Sequence, residues 1–112
     1  MKLTGKCKED FEKWFEPPLK ENEKDPWGIA LYGSMVAEFY SLTESMQYGV
    51  YVDFFDSVGI KISIRNISDA YWFVINNVNT EGKKDRYEGR YMSRPEARTK
   101  AIEKANEIYN KI

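Results

Sequence analysis

Leu3, Cys7, Phe11, Trp14 and Phe15 recur at intervals of four and three residues, while Lys6, Lys8, Glu9, Asp10, Glu12 and Lys13 fill the remaining positions. That spacing predicts an amphipathic helix over about residues 4–16 with the five apolar side chains on its buried stripe. Thr4 is a residue type that caps a helix start. Pro17-Pro18 ends the helix, because neither proline can donate a helical hydrogen bond and the first also restricts Glu16. Residues 17–28 are polar and bounded by prolines, the pattern of a surface loop. Residues 29–42 (IALYGSMVAEFYSL) are apolar without a clear period. They fit either a short helix around Ser34 to Tyr40 or an irregular packed segment.

The pattern becomes firmer after Thr43. Met46, Val50, Phe54 and Val58 stand four apart with Tyr51 and Phe55 beside them, which predicts a helix over residues 44–58. Tyr51, Val52, Phe54 and Phe55 favour strands by propensity, so a strand competes. Thr43 before the segment, Gly59 where a left-handed residue ends a helix, and Ile60 as its apolar partner decide for helix. Ile60, Ile62 and Ile64 then alternate with Lys61, Ser63 and Arg65 as in a half-buried strand. Asn66 to Asp69 supplies turn chemistry. Residues 71–78 (YWFVINNV) begin apolar on both parities, which suits a central strand covered on two faces, with Trp72 in the core. Asn79 to Asp85, containing Gly82, reads as a hairpin loop, and residues 86–92 as a third strand with Tyr87 and Tyr91 on one side.

Ser93-Arg94-Pro95-Glu96 is a capping box with proline in the first turn of a last helix, over residues 94–110. Ala97, Ala101, Ala105, Ile108 and Ile112 form its stripe, widened by Ile102 and Tyr109, and Glu96 and Lys100 form a favourable pair four apart. The chain therefore reads as one α+β domain, 1–112, with element order α-(α)-α-β-β-β-α. Its main α-β-β-β-α unit spans about 43–112. Short connections make the strands an antiparallel meander centred on 71–78, with the helices at 44–58 and 94–110 on one face. The N-terminal helix is left to cover an edge, an end or the second face.

Composition narrows the chemistry. The 112 residues include no histidine and one cysteine, Cys7. A Ser-His-Asp triad, a Cys-His pair, a His base and His-ligated metal sites are thereby excluded, as are an internal disulfide and a Cys₄ zinc site. No phosphate loop or nucleophile elbow is present. Aromatics are 15% of the chain, enough for a real core, and 31% charged residues make a solvated surface. The first residues lack the apolar run of a signal peptide, and no stretch approaches the ~18 apolar residues of a membrane span. A cytoplasmic location with no membrane contact is expected, and no cofactor is implied.

Net charge is −1, but residues 1–82 carry 8 basic and 13 acidic side chains, whereas residues 83–112 carry 9 and 5. The leading expectation is a non-enzymatic protein acting through a protein partner or self-association. Trp27, Tyr32 and Tyr40 are the candidate contacts, in or beside an unusually apolar segment. The alternative is a nucleic-acid-binding accessory domain using a C-terminal basic face of Arg90, Arg94, Arg98 and Lys104. Nucleic acid is the less favoured partner, because the acidic overall balance runs against it. Asp53 and Asp56, three apart on one helix, could share a cation or a proton. Pairing with Lys or Arg of the C-terminal region is the simpler expectation.

Two resemblances add to this reading. The order helix, three strands, helix, with Ser93-Arg94-Pro95-Glu96-Ala97-Arg98 opening the last helix, resembles the double-stranded-RNA-binding domain, although Pro95 replaces a basic position. The stretches KLTGKCKEDFEKWF, SMQYGVYVDFFDSVGIKISI and SRPEARTKAIEKANEIYN are similar to an uncharacterised family of small proteins from gut bacteria and their phages or prophages. That resemblance implies a phage-associated protein and assigns no site residue.

Overall fold

A computed structural model of the chain describes residues 1–17, 22, 34–78 and 84–112. Among them are four helices and one sheet, in the order α1 (Gly5–Phe15), α2 (Ser34–Ser41), α3 (Glu44–Ser57), β1 (Ile60–Ile67), β2 (Ala70–Val78), β3 (Lys84–Tyr91) and α4 (Arg94–Asn110). The fold is α+β, and the strands form an antiparallel sheet in the order β1-β2-β3. The apolar segment after residue 29 resolves as the short helix α2 over its described part. The expected loops at 17–28 and 79–85 lie largely outside the described residues.

Local chemistry accounts for the joints. Gly59 follows α3 with φ +86°, the left-handed conformation expected of it, and Ile60 beyond it is fully buried. The turn between β1 and β2 is tighter than expected. Asn66 and Ile67 stay in the strand, and Ser68 and Asp69, with φ of 53° and 62°, make the two-residue turn alone. Two consecutive left-handed residues match the twist of the flanking strands, and Ser and Asp tolerate the conformation better than branched residues do. Ser93 caps α4 by accepting from the Glu96 N–H at 3.3 Å.

The helices pack on one face of the sheet. Ile62 pairs with Ile75, and Ile75 with Tyr87, so three strands present apolar side chains to α3 and α4 at the same level. The helix α1 does not cover the second face. It lies against α2, α3 and α4, with Phe11 fully buried and its ring centroid 5.1 Å from Phe39, 4.9 Å from Tyr51 and 5.4 Å from Phe54.

Several stripe residues sit differently from their expected places. In α3 the buried residues are Gln47, Tyr51, Phe54 and Phe55, while Met46 and Val58 are exposed. A strict four-residue ladder advances about 40° around the helix at each step, so its two ends rotate off the core face. Gln47 is accommodated because its amide donates to the carbonyls of Tyr40 at 3.2 Å and Leu42 at 3.0 Å, tying α2 to α3. Trp14 is on the flank of α1, exposed on one side and edge-on to Phe54 on the other. Ile112 falls beyond the end of α4 and is exposed. Lys100 turns to Glu103, at 3.3 Å, and not to Glu96.

Thr4 occupies the cap position of α1 but makes no capping hydrogen bond. Asn110 does so from the far end of the chain: its Oδ1 accepts from the Cys7 N–H at 2.8 Å, and its Nδ2 donates to the Thr4 carbonyl at 2.9 Å. Asn106 accepts from the Thr4 N–H at 2.9 Å, and the Tyr109 hydroxyl donates to Asp10 at 2.5 Å. One face of α4 thus replaces the local cap of α1. Asn110→Ala is expected to destabilise the fold by about 1–2 kcal/mol, the loss of a good cap, read from urea denaturation. An unchanged midpoint would show that water serves these groups equally well.

The Tyr51 hydroxyl is buried and has no hydrogen-bond partner. Burial, with lesser contributions from Cys7 and Glu12, pushes its pKa up to about 12. Tyr51→Phe removes an unsatisfied polar atom and keeps the ring, so stability should hold or rise by about 1 kcal/mol. A loss of that size in thermal denaturation would reveal a hydrogen bond that the hydroxyl makes in solution.

Candidate nucleic-acid interface on the open sheet face

Strand alternation sends Ile60, Ile62, Ile64, Phe73, Ile75, Tyr87 and Tyr91 toward the helices. The other parity is Lys61, Ser63, Arg65 and Ile67 in β1, Ala70, Trp72, Val74, Asn76 and Val78 in β2, and Lys84, Arg86, Glu88 and Arg90 in β3. The register aligns these residues in cross-strand rows. Arg65, Trp72 and Arg90 form one row, Ser63, Val74 and Glu88 the next, and Lys61, Asn76 and Arg86 the third. No described helix packs over this face, since α3 and α4 both lie on the core side.

Trp72 is therefore not in the core cluster, and among the described residues no helix covers the second face of β2. Trp72 is half-buried and lies outside the cluster that joins the sheet to the helices. The apolar start of β2 serves both sides of the sheet: Phe73 and Ile75 join the core cluster, while Trp72, half-buried, and Val74, buried, take the other parity.

The face carries five cations, Lys61, Arg65, Lys84, Arg86 and Arg90, and one carboxylate, Glu88. Arg86 is held by Glu88, with Nη2 2.7 Å from Oε1, and Lys61 by Asp56 at 3.1 Å. Arg65, Lys84 and Arg90 make no ion pair or side-chain hydrogen bond among the described residues. Arg65 and Arg90 flank Trp72 on its two sides. Such a row offers an aromatic ring between two uncommitted guanidiniums, which donate well to phosphate oxygens and base edges.

The expected basic face is thereby divided. Arg90 is on the open sheet face, whereas Arg94, Arg98 and Lys104 are on α4 and engage tyrosine rings. Arg94 lies 5.3 Å from the Tyr71 ring centroid, Arg98 5.4 Å from Tyr48 and Lys104 4.8 Å from Tyr87. Cation–π contacts of this kind fasten α4 to β2, α3 and β3. Of the candidate protein contacts, Trp27 and Tyr32 lie outside the described residues. Tyr40 is exposed at its ring, but its hydroxyl donates to Glu12 at 2.9 Å and links α2 to α1.

Asp56 pairs with Lys61 at the start of β1, not with the C-terminal basic region. Asp53 is exposed on α3. Among the described residues no group of three or more His, Cys, Asp or Glu is arranged to hold a metal ion. Cys7 is buried, and burial, assisted by Asp10, pushes its thiol pKa up to about 12, which suppresses the reactive thiolate. A cleft of about 430 Å³ between α1 and the α2–α3 junction is lined by Leu3, Lys8, Tyr40, Glu44 and Gln47 among others. No helix among the described residues is long and apolar enough to cross a membrane.

Sequence reasoning missed Lys61, Arg65, Trp72 and Arg86 as members of one surface. The alternation of charges in 61–65 and 84–90 was visible, but its alignment across β2 depends on register. No family model matches the chain, and no curated protein or solved structure matches it.

Proposed function

We propose that this protein works by binding nucleic acid through the open face of its sheet. The observation that carries the reading is the row Arg65–Trp72–Arg90, extended by Lys61, Lys84 and Arg86. Phosphate contacts from Lys and Arg supply most of non-specific nucleic-acid affinity, and they require local cations, not a basic whole protein. A net charge of −1 is therefore no obstacle where five of six charged residues on one face are positive.

The sequence-based candidate surface on α4 is replaced by this one, because its cations are committed to tyrosines. The double variant Arg65→Ala/Arg90→Ala is expected to weaken binding of a labelled oligonucleotide at least about tenfold at low salt. It should also flatten the dependence of log K on log salt by about 2, one unit per lost phosphate contact. Arg94→Ala should leave both quantities unchanged. The reading fails if Arg94→Ala is the more damaging change, or if the double variant binds like the parent protein.

A second reading, protein contact or self-association, is supported by exposed Leu42 and Met46 at the α2–α3 junction and Met35 at the start of α2. Methionine adapts well to varied apolar partners. A solution mass above the monomer that Met46→Glu reduces would favour it.

A further inference from the structure

Resting on the reading of the open sheet face as a nucleic-acid contact, we infer that its ligand is duplex DNA, entered from the major groove with β2 facing the base edges. The cations occur on both outer strands, Lys61 and Arg65 on β1, and Lys84, Arg86 and Arg90 on β3. The central strand between them presents Trp72, Asn76 and Val78, with Val74 buried between the first two, and no charge. Two cationic borders around a neutral centre match a ligand with two phosphate backbones. A single strand offers only one.

Dimensions agree. Neighbouring strands lie about 4.8 Å apart, so β1 and β3 are separated by roughly 10 Å. The major groove of B-form DNA is roughly 12 Å wide and admits strands as well as helices. In that seat the arginines of the outer strands meet the two phosphate walls. Asn76 has the amide that pairs with an adenine edge, and Trp72 is an apolar group for a thymine methyl.

The alternatives fit less well. Sequence-tolerant binding of single strands uses successive aromatic platforms, and Trp72 is the one aromatic on this face among the described residues. Duplex RNA presents a deep, narrow major groove that side chains cannot read.

Fluorescence anisotropy on the full chain tests the inference, using one mixed sequence of about two helical turns as DNA duplex, as DNA single strand and as RNA duplex. The DNA duplex should bind at least about tenfold tighter than either other form at low salt. Methylation of guanine N7, which lies in the major groove, should weaken that binding. Equal or tighter binding of the single strand or the RNA duplex overturns the groove assignment while leaving nucleic-acid binding intact. Tight duplex binding that is indifferent to N7 methylation also overturns it. Failure of all three probes to bind overturns both readings, and a rise in the mass of the free protein that Arg65→Ala abolishes would assign the face to self-association.

Discussion

Phe11→Ala is expected to lower folding stability by about 3–5 kcal/mol, the usual cost of truncating a fully buried phenylalanine. Phe11 comes from α1, yet its ring contacts belong to two other helices: Phe39 on α2, and Tyr51 and Phe54 on α3. Its neighbours Phe15 and Trp14 also lean on it, at 5.8 and 6.0 Å. Removing the ring opens a cavity whose walls are large, rigid aromatics, and such walls close poorly around a void. A domain of this size has about 5–15 kcal/mol to lose. The variant should therefore unfold at a much lower urea concentration, with α1 the first element to detach. Hydrogen exchange would show this as loss of protection in residues 5–15 at urea concentrations where the sheet is still protected. A loss below about 1 kcal/mol would mean that α1 is only loosely docked.

Gly89→Val should destabilise the protein by about 1–3 kcal/mol or more, although strand propensity alone predicts a gain. Gly89 has an ordinary backbone conformation, so the constraint is not its φ angle. It pairs directly with Phe73, and a Cβ on Gly89 would collide with Cε2 of that ring and stand 2.9 Å from Cδ2 and Cζ. The Phe73 ring is laid across the glycine and stacked on Tyr91, with centroids 6.0 Å apart and planes 18° from parallel. A covering aromatic is a known means of restoring packing at a glycine in a sheet. Any side chain there must push the ring off Tyr91 or push β3 away from β2. The second outcome would also misalign Arg86 and Arg90 with Trp72. Thermal denaturation measures the first consequence, and the oligonucleotide affinity of the folded fraction the second. A variant as stable as the parent would show that Phe73 has another position available at no cost.

How much of this was legible in the sequence differs between levels. The order of elements was, because periodicity, prolines and caps are local signals: Pro17 after α1, Gly59 after α3 and Ser93 before α4 all act within a few residues of where they stand. The anchoring of α1 was not. Its true cap, Asn110, is 103 residues from the Cys7 N–H it accepts from, and no local pattern connects them. The candidate face was half legible. Alternation showed that Lys61, Ser63 and Arg65 share a side of β1, but an apolar run such as YWFVI gives no parity contrast at the start of β2. Only the register shows that Trp72 stands between Arg65 and Arg90. The C-terminal excess of positive charge is divided in place between β3 and α4. A helix and a strand contribute to it, and they face different sides of the molecule.

The central claim is that the open sheet face, not α4, meets nucleic acid. Chemical-shift mapping of the isotopically labelled protein, titrated with an unlabelled DNA duplex, tests it most directly. The account predicts that the strongest perturbations fall on the amides of Lys61 to Arg65, Trp72 to Asn76 and Arg86 to Arg90, together with the Trp72 indole N–H. Perturbations concentrated on Arg94, Arg98 and Lys104 with the sheet unchanged would contradict it.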